Sequence, residues 1–183
     1  IIDANNQDDY PLMQPWISPN IAVENLTSSK TVVGHGYDLK LNVSVKNLGN
    51  KIEGLNLKVY VNSSEIQTQY VLLKGNQSSI ITLIWNTGSF GKGNHTLWVY
   101  AEPVTSEVNT EDNILNDGWI FVTIPGDTNG DRSVNILDAI SLSNAFLSKQ
   151  DDASWKPNTD INNDLTVNIL DAIIMGNHFN QSW

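Results

Sequence analysis

The chain has no cysteine, so neither disulfides nor thiolate metal sites hold it together. Any small subdomain then needs another staple, and a structural metal is one candidate. Charged side chains are scarce, 16% of 183 residues. Asn, Ser and Thr fill the polar positions instead, a composition common in secreted β-rich proteins. Long apolar runs are missing too, and no transmembrane stretch, signal peptide or lipidation motif is visible. The first residue is Ile, which reads as a processed product or an excised fragment. Catalytic signatures are also wanting. His35, His95 and His178 are scattered, with no His-x-x-x-His pair, nucleophile elbow, phosphate loop or dinucleotide fingerprint. The chain therefore reads as a non-enzyme.

Hydrophobic residues make up 40% of the chain, enough for a packed core. The net charge is −10, which repels phosphate backbones and disfavours nucleic acid as a partner. Residues 1–125 carry 12 acids and 7 lysines, and residues 126–183 carry 8 acids and 3 bases. The second segment thus has about double the negative charge density, and there the acids recur at fixed spacing.

Three segments follow from the patterning: 1–16, 17–124 and 125–183. Pro11 and Pro15 break helix and central strand in the first, which reads as a linker or a terminal strand. The second alternates. In "DLKLNVSVKNLG", Leu39, Leu41, Val43 and Val45 share one face, the period of a half-buried strand. "LNLKVYVN", "QYVLL", "SIITLIW", "HTLWVYAEP" and "GWIFVTI" continue the style between Gly/Asn/Ser turn clusters. Six or seven short strands imply an antiparallel β-sandwich of immunoglobulin type. Six Asn-x-Ser/Thr sequons, at Asn25, Asn42, Asn62, Asn76, Asn94 and Asn180, are candidate glycosylation sites for a secreted or surface-displayed chain.

From Pro125 the period becomes helical. Ile136, Ile140 and Phe146/Leu147 line one face of a short helix, and Ile169, Ile173 and Phe179 line another. The two stretches are copies. "DTNGDRSVNILDAI" from Asp127 and "DINNDLTVNILDAI" from Asp160 agree at ten of fourteen positions, 33 residues apart, which is a duplication.

Each copy sets oxygen-bearing side chains at positions 1, 3, 5, 9 and 12. They are Asp127, Asn129, Asp131, Asn135 and Asp138, then Asp160, Asn162, Asp164, Asn168 and Asp171. Ser133 and Thr166 at position 7 would add backbone carbonyls. This is the spacing of a 12-residue calcium loop. Calcium takes about six to eight oxygens, and ligands at alternate positions of a tight loop converge on one point. The bland reading, Asp/Asn-rich turns that only cap helices, suits one such turn and not two in register. Two calcium ions are therefore expected, with binding coupled to folding.

Residues 126–183 resemble a type I dockerin, whose pattern is two D-x-N-x-D-x-x-x-N-x-x-D loops, each followed by a helix. The resemblance implies two antiparallel helices about a pseudo-twofold axis and a cohesin domain as partner. The chain departs from the family at position 6, where Arg132 and Leu165 replace the usual glycine. At positions 10 and 11 the chain repeats Ile136-Leu137 as Ile169-Leu170. These pairs are either a symmetric partner-binding patch or core. Family members often clasp their termini with an aromatic ring, so Trp183 is expected against Pro125 or Trp119, the alternative being a frayed tail. "VKNLGN" and "EVNTEDNILND" resemble the CARDB family of immunoglobulin-like surface-adhesion domains. "IIDANNQDDYPLMQPW" resembles the tail that follows NosD-like β-helix repeats. No ligand cluster for copper accompanies it.

Three functions compete. One is attachment to a cohesin-like domain with the sandwich as spacer or adhesive domain. The second is a filament of copies of the chain, joined by N-terminal strand addition and stiffened by calcium. The third is a glycan-binding appendage, in which Trp16, Trp85, Trp98, Trp119, Trp155 and Trp183 offer stacking rings. Against it, Trp85, Trp98 and Trp119 lie in strand patterns that read as core.

Overall fold

A computed structural model of the protein describes residues 17–183, the side chain of Asp117 excepted. The expected linker or terminal strand over 1–16, Trp16 included, lies outside the described residues. Among the described residues, eight strands form two sheets. The first has the order β1 (Ile21–Ser28), β3 (Asp38–Asn47), β6 (Ser78–Asn86). The second runs β2 (Val32–Gly34), β8 (Ile114–Thr123), β7 (Gly93–Ala101), β4 (Glu53–Val61), β5 (Ser64–Leu73). All pairings are antiparallel except β2 with β8, which is parallel.

The alternation read from the sequence carries the sandwich. Leu39, Leu41, Val43 and Val45 of β3 are all 0% exposed and face Leu57, Val59 and Val61 of β4 and Leu97 and Val99 of β7 within one core. Burying each such side chain is worth about 1.5–3 kcal/mol. Two strands escape the alternating pattern. In β1 a register shift between Val23 and Asn25 breaks the period of two, and β2 is only three residues long.

The two motifs of the sandwich hold loops in place. Asn47 is buried. Its amide nitrogen donates to the carbonyls of Lys51 (2.7 Å) and Leu73 (3.1 Å), and its Oδ1 accepts from Gly49 N (2.9 Å). Asn113 is likewise buried and donates to Ala101 O.

A second core, Ile124, Val134, Leu142, Ala145, Ile161, Val167 and Met175, lies under two helices, α1 (Ile136–Ala145) and α2 (Ile169–Asn177). The chain enters it through Gly126. With φ 104 and a would-be Cβ 2.9 Å from Met175 Cα, this position admits glycine only. Of the tryptophans expected as core, only Trp85 is buried. Trp98 stands on the outer face, stacked on Tyr60 at 4.0 Å with Nε1 donating to Asn62 O. Trp119 is 57% exposed. Its place in β8 falls beside a register shift between β7 residues Thr96 and Trp98, which disrupts the in-out order there.

Leu41→Ala is expected to lower stability by about 3 kcal/mol, the usual cost of such a core truncation. Ile80→Ala on the exposed flank of β6 should change it by less than about 0.5 kcal/mol. Denaturant midpoints of the two variants check the contrast.

Candidate metal centres

Each repeat folds from its first carboxylate outward. Asp127 is buried. Its Oδ1 accepts from Gly130 N (2.7 Å) and its Oδ2 from Arg132 N (2.9 Å) and Thr123 Oγ1 (2.6 Å). Asp160 does the same in the second loop, taking Asp164 N (3.1 Å) and Leu165 N (2.9 Å). These amides point inward because position 6 is left-handed, φ 76 at Arg132 and φ 72 at Leu165. A non-glycine residue there costs roughly 1–2 kcal/mol. Positions 3 and 5 continue the coil: Asn129 Oδ1 accepts from Asp131 N, Asp131 Oδ1 from Ser133 N, Asn162 Oδ1 from Asp164 N and Asp164 Oδ1 from Thr166 N.

Helix capping uses positions 9 and 12. Asn135 and Asn168 are the N-caps, with Oδ1 accepting from Leu137 N and Leu170 N. Asp138 and Asp171 in turn accept from the cap N–H groups of Asn135 and Asn168 at their Oδ2, a reciprocal box that puts a carboxylate at the positive end of each helix. Capping does not use their other oxygens. Asp138 Oδ1 reaches back to Thr128 N (2.8 Å), and Asp171 Oδ1 to Ile161 N (2.7 Å).

In the first loop the carboxylates of Asp127, Asp131 and Asp138 converge, with oxygens within 4.8 Å of one another. Burial pushes the Asp127 carboxyl above its ordinary range, against the Thr123, Gly130 and Arg132 donors that favour its charge. Burial likewise raises Asp160. Asp164, although partly desolvated, is held low by donors from Thr166 and Asn162. Hard oxygen ligands, a tight loop and desolvated like charges are the donor set a divalent hard cation relieves. Among the described residues, the carboxylates of the second loop do not converge to the same separation.

That second loop has a neighbour no pattern in the sequence announces. Lys30, 4% exposed, donates from Nζ to the backbone carbonyl of Asp160 across 130 residues. Burial lowers its pKa, partly countered by Asp160 and Asp171. Asn158 Oδ1 accepts from Thr31 N (3.1 Å) and Val32 N (3.3 Å), so both loops sit against the sandwich.

The repeats strap each other. Segment 180–183, after α2, pairs with the first loop: Asn180 N to Val134 O, Val134 N to Gln181 O, Trp183 N to Arg132 O. Segment 147–150, after α1, pairs with the second: Leu147 N to Val167 O, Val167 N to Ser148 O, Gln150 N to Leu165 O. Every partner shifts by 33 residues, the mark of a pseudo-twofold.

The expected clasp closes on Phe121, a ring of β8. Trp183 stacks on Phe121 (6.0 Å, 24°), donates to Thr123 Oγ1 (3.1 Å) and carries Arg132 and Lys92 over its ring. The Trp183–Arg132 backbone bond helps to set the ring onto β8.

The Ile-Leu pairs are not core. Ile136, Leu137, Ile140, Ile169, Leu170 and Ile173 are 51–62% exposed, while Leu142, Ala145 and Met175 take the inward face. Phe146, Leu147 and Phe179 are exposed as well. The sequon residues Asn25, Asn42, Asn62, Asn76, Asn94 and Asn180 are all exposed. Asn62 spends its amide on His95 Nδ1 (2.9 Å) and on Thr96 N (3.0 Å).

Trp183→Ala is expected to cost about 2 kcal/mol, from a lost aromatic contact, hydrogen bond and cation–π pair. Thermal unfolding in calcium, beside a Trp119→Ala control that should barely move, measures it.

The CARDB family model matches residues 18–117, and the type I dockerin domain model matches residues 125–180. A comparison with curated proteins returns no match. Among solved structures, the crystal structure of a CARDB domain from Pyrococcus furiosus, in complex with di-metal ions, is 20% identical. It covers 61% of this chain and 99% of that one, with TM-score 0.53. The solution structure of the Pyrococcus furiosus domain gives 22% identity, 57% and 95% coverage and TM-score 0.50. A β-glucosidase from Erythrobacter marinus aligns at 14% identity over 57% of this chain and 15% of its own, TM-score 0.46, which carries no argument about activity. Type I dockerins bind calcium and dock cohesins, and both matched domains are non-catalytic modules typical of extracellular or cell-surface proteins. The chain belongs to the CARDB family and carries a type I dockerin domain after its CARDB domain.

Proposed function

We propose that the protein is an extracellular attachment module whose 125–183 segment binds two calcium ions and docks a cohesin-like domain, with residues 17–124 as spacer. The ligands in this reading are Asp127, Asn129, Asp131, Asn135 and Asp138 with the Ser133 carbonyl, and Asp160, Asn162, Asp164, Asn168 and Asp171 with that of Thr166. The observation that carries it is the placement of the twin apolar pairs. Ile136-Leu137 and Ile169-Leu170 open α1 and α2, immediately before Asp138 and Asp171 at the third helical position. A cation that ties those carboxylates to the loop also fixes the first helical turn and so presents the pair. Exposed aliphatic clusters of this kind mark interaction surfaces, and removing the ion releases the turn that holds them.

In calcium titration by calorimetry, Asp138→Ala and Asp171→Ala should each bind one ion fewer than the parent. An unchanged count in Asp171→Ala would reduce the reading to one ion in these loops. Ile136→Asp with Ile169→Asp should keep both ions yet lose at least tenfold in affinity for a cohesin-type domain, about 1.4 kcal/mol. Surface plasmon resonance with and without chelator checks this, and partner binding that survives chelation would overturn the docking mechanism. Calcium-dependent self-association seen by analytical ultracentrifugation would point to copies of the chain as the partner instead.

A further inference from the structure

We propose that the CARDB domain holds a calcium ion of its own, at the pole where the start of β1 meets the 104–113 crossover. Three buried side-chain oxygens without a hydrogen-bond partner lie here: Asn20 Oδ1, Asp112 Oδ1 and Asn113 Oδ1. Asn113 is fully buried. Each unpaired buried acceptor costs about 1–3 kcal/mol, so one before β1 and two on the crossover, joined by the Asn20–Asp112 bond, call for a ligand.

The oxygens cannot be rescued by turning the amides over. Asn20 Nδ2 donates to Asp112 Oδ2 (3.1 Å). A flip would press its oxygen against that carboxylate. Asn113 Nδ2 donates to Ala101 O (3.1 Å) and Glu107 Oε2 (3.4 Å). Its flip would set oxygen against a carbonyl and a carboxylate. The donors are therefore committed to the protein and the acceptors left over. Glu107 is anchored by Ile21 N (2.5 Å) and Val104 N (2.8 Å), which holds a second carboxylate beside Asn113.

A single water has two hydrogens to offer three acceptors. A calcium ion takes oxygens only, about six to eight of them, amide carbonyls and carboxylates alike. Asp112 and Glu107 match its charge. Asn20 also lines an open cleft with Ser18, Pro19, Leu48 and Val108, which gives entry and room for the waters that complete the shell. None of these side chains belongs to the dockerin loops.

The test is the difference in calcium bound by the full chain and by Asp112→Asn, counted by native mass spectrometry. The variant keeps the side-chain shape and should bind one ion fewer. Both Asp138→Ala and Asp171→Ala should retain the sandwich ion, so failure of the dockerin sites and of this one remain distinguishable. In the full chain the side-chain amide resonances of Asn20 and Asn113 should shift on adding calcium. An ion count unchanged by Asp112→Asn, or amide resonances that stay put at saturating calcium, would overturn the site. If Asp112→Asn does not fold, Asn20→Ala carries the same expected loss of one ion.

Discussion

A carboxylate taken out of water without a cation is expensive, and the C-terminal third of this chain is arranged around four of them. Asp127, Asp138, Asp160 and Asp171 are all buried, each ringed by backbone N–H groups. The apolar core beneath them is small, seven residues with Ile124 borrowed from the end of the sandwich. Backbone donors offset part of the desolvation, and a divalent ion would offset the remainder. Loop conformation, helix start and apolar face all depend on that balance.

The sandwich takes part in it. Thr123 donates to Asp127 while accepting from Trp183, so one hydroxyl of β8 links the first loop to the last residue. Lys30 and Asn158 tie the second loop to the β1–β2 connection. Both loops thus rest on a rigid β framework, and neither is a free appendage. The two are not equivalent. The first gathers three carboxylates, and the second has a buried lysine behind it.

Much of this was legible because it is periodic. Leu39 to Val45 alternate and line the core, and the 33-residue copy names each loop position. What escaped has long sequence separation or no period. The β1 strand hides behind a bulge, and Lys30 reaches Asp160 from a distant turn. Trp183 reads as a clasp from its position, but its ring partner Phe121 does not, because backbone pairing with Arg132, invisible in composition, helps to set where it lands. The helical stripe of Ile136, Ile140, Ile169 and Ile173 was correct as a stripe. Periodicity alone does not say whether an apolar face looks inward, and here Leu142 and Met175 took the core instead. Asn20, Asp112 and Asn113 look like ordinary loop polars until their unpaired oxygens are seen together.

The crossed straps also impose an order in time. The segment that closes the second loop, 147–150, precedes it in the chain, whereas residues 180–183, which close the first, come after everything they touch. During synthesis or export from the N-terminal side, the sandwich and the second loop can organise early. The first loop stays open until Trp183 has emerged and reached Phe121. The half of the molecule that presents Ile136 and Leu137 is therefore closed by residues far along the chain from it, and a chain lacking 180–183 would carry only one finished half of its paired surface.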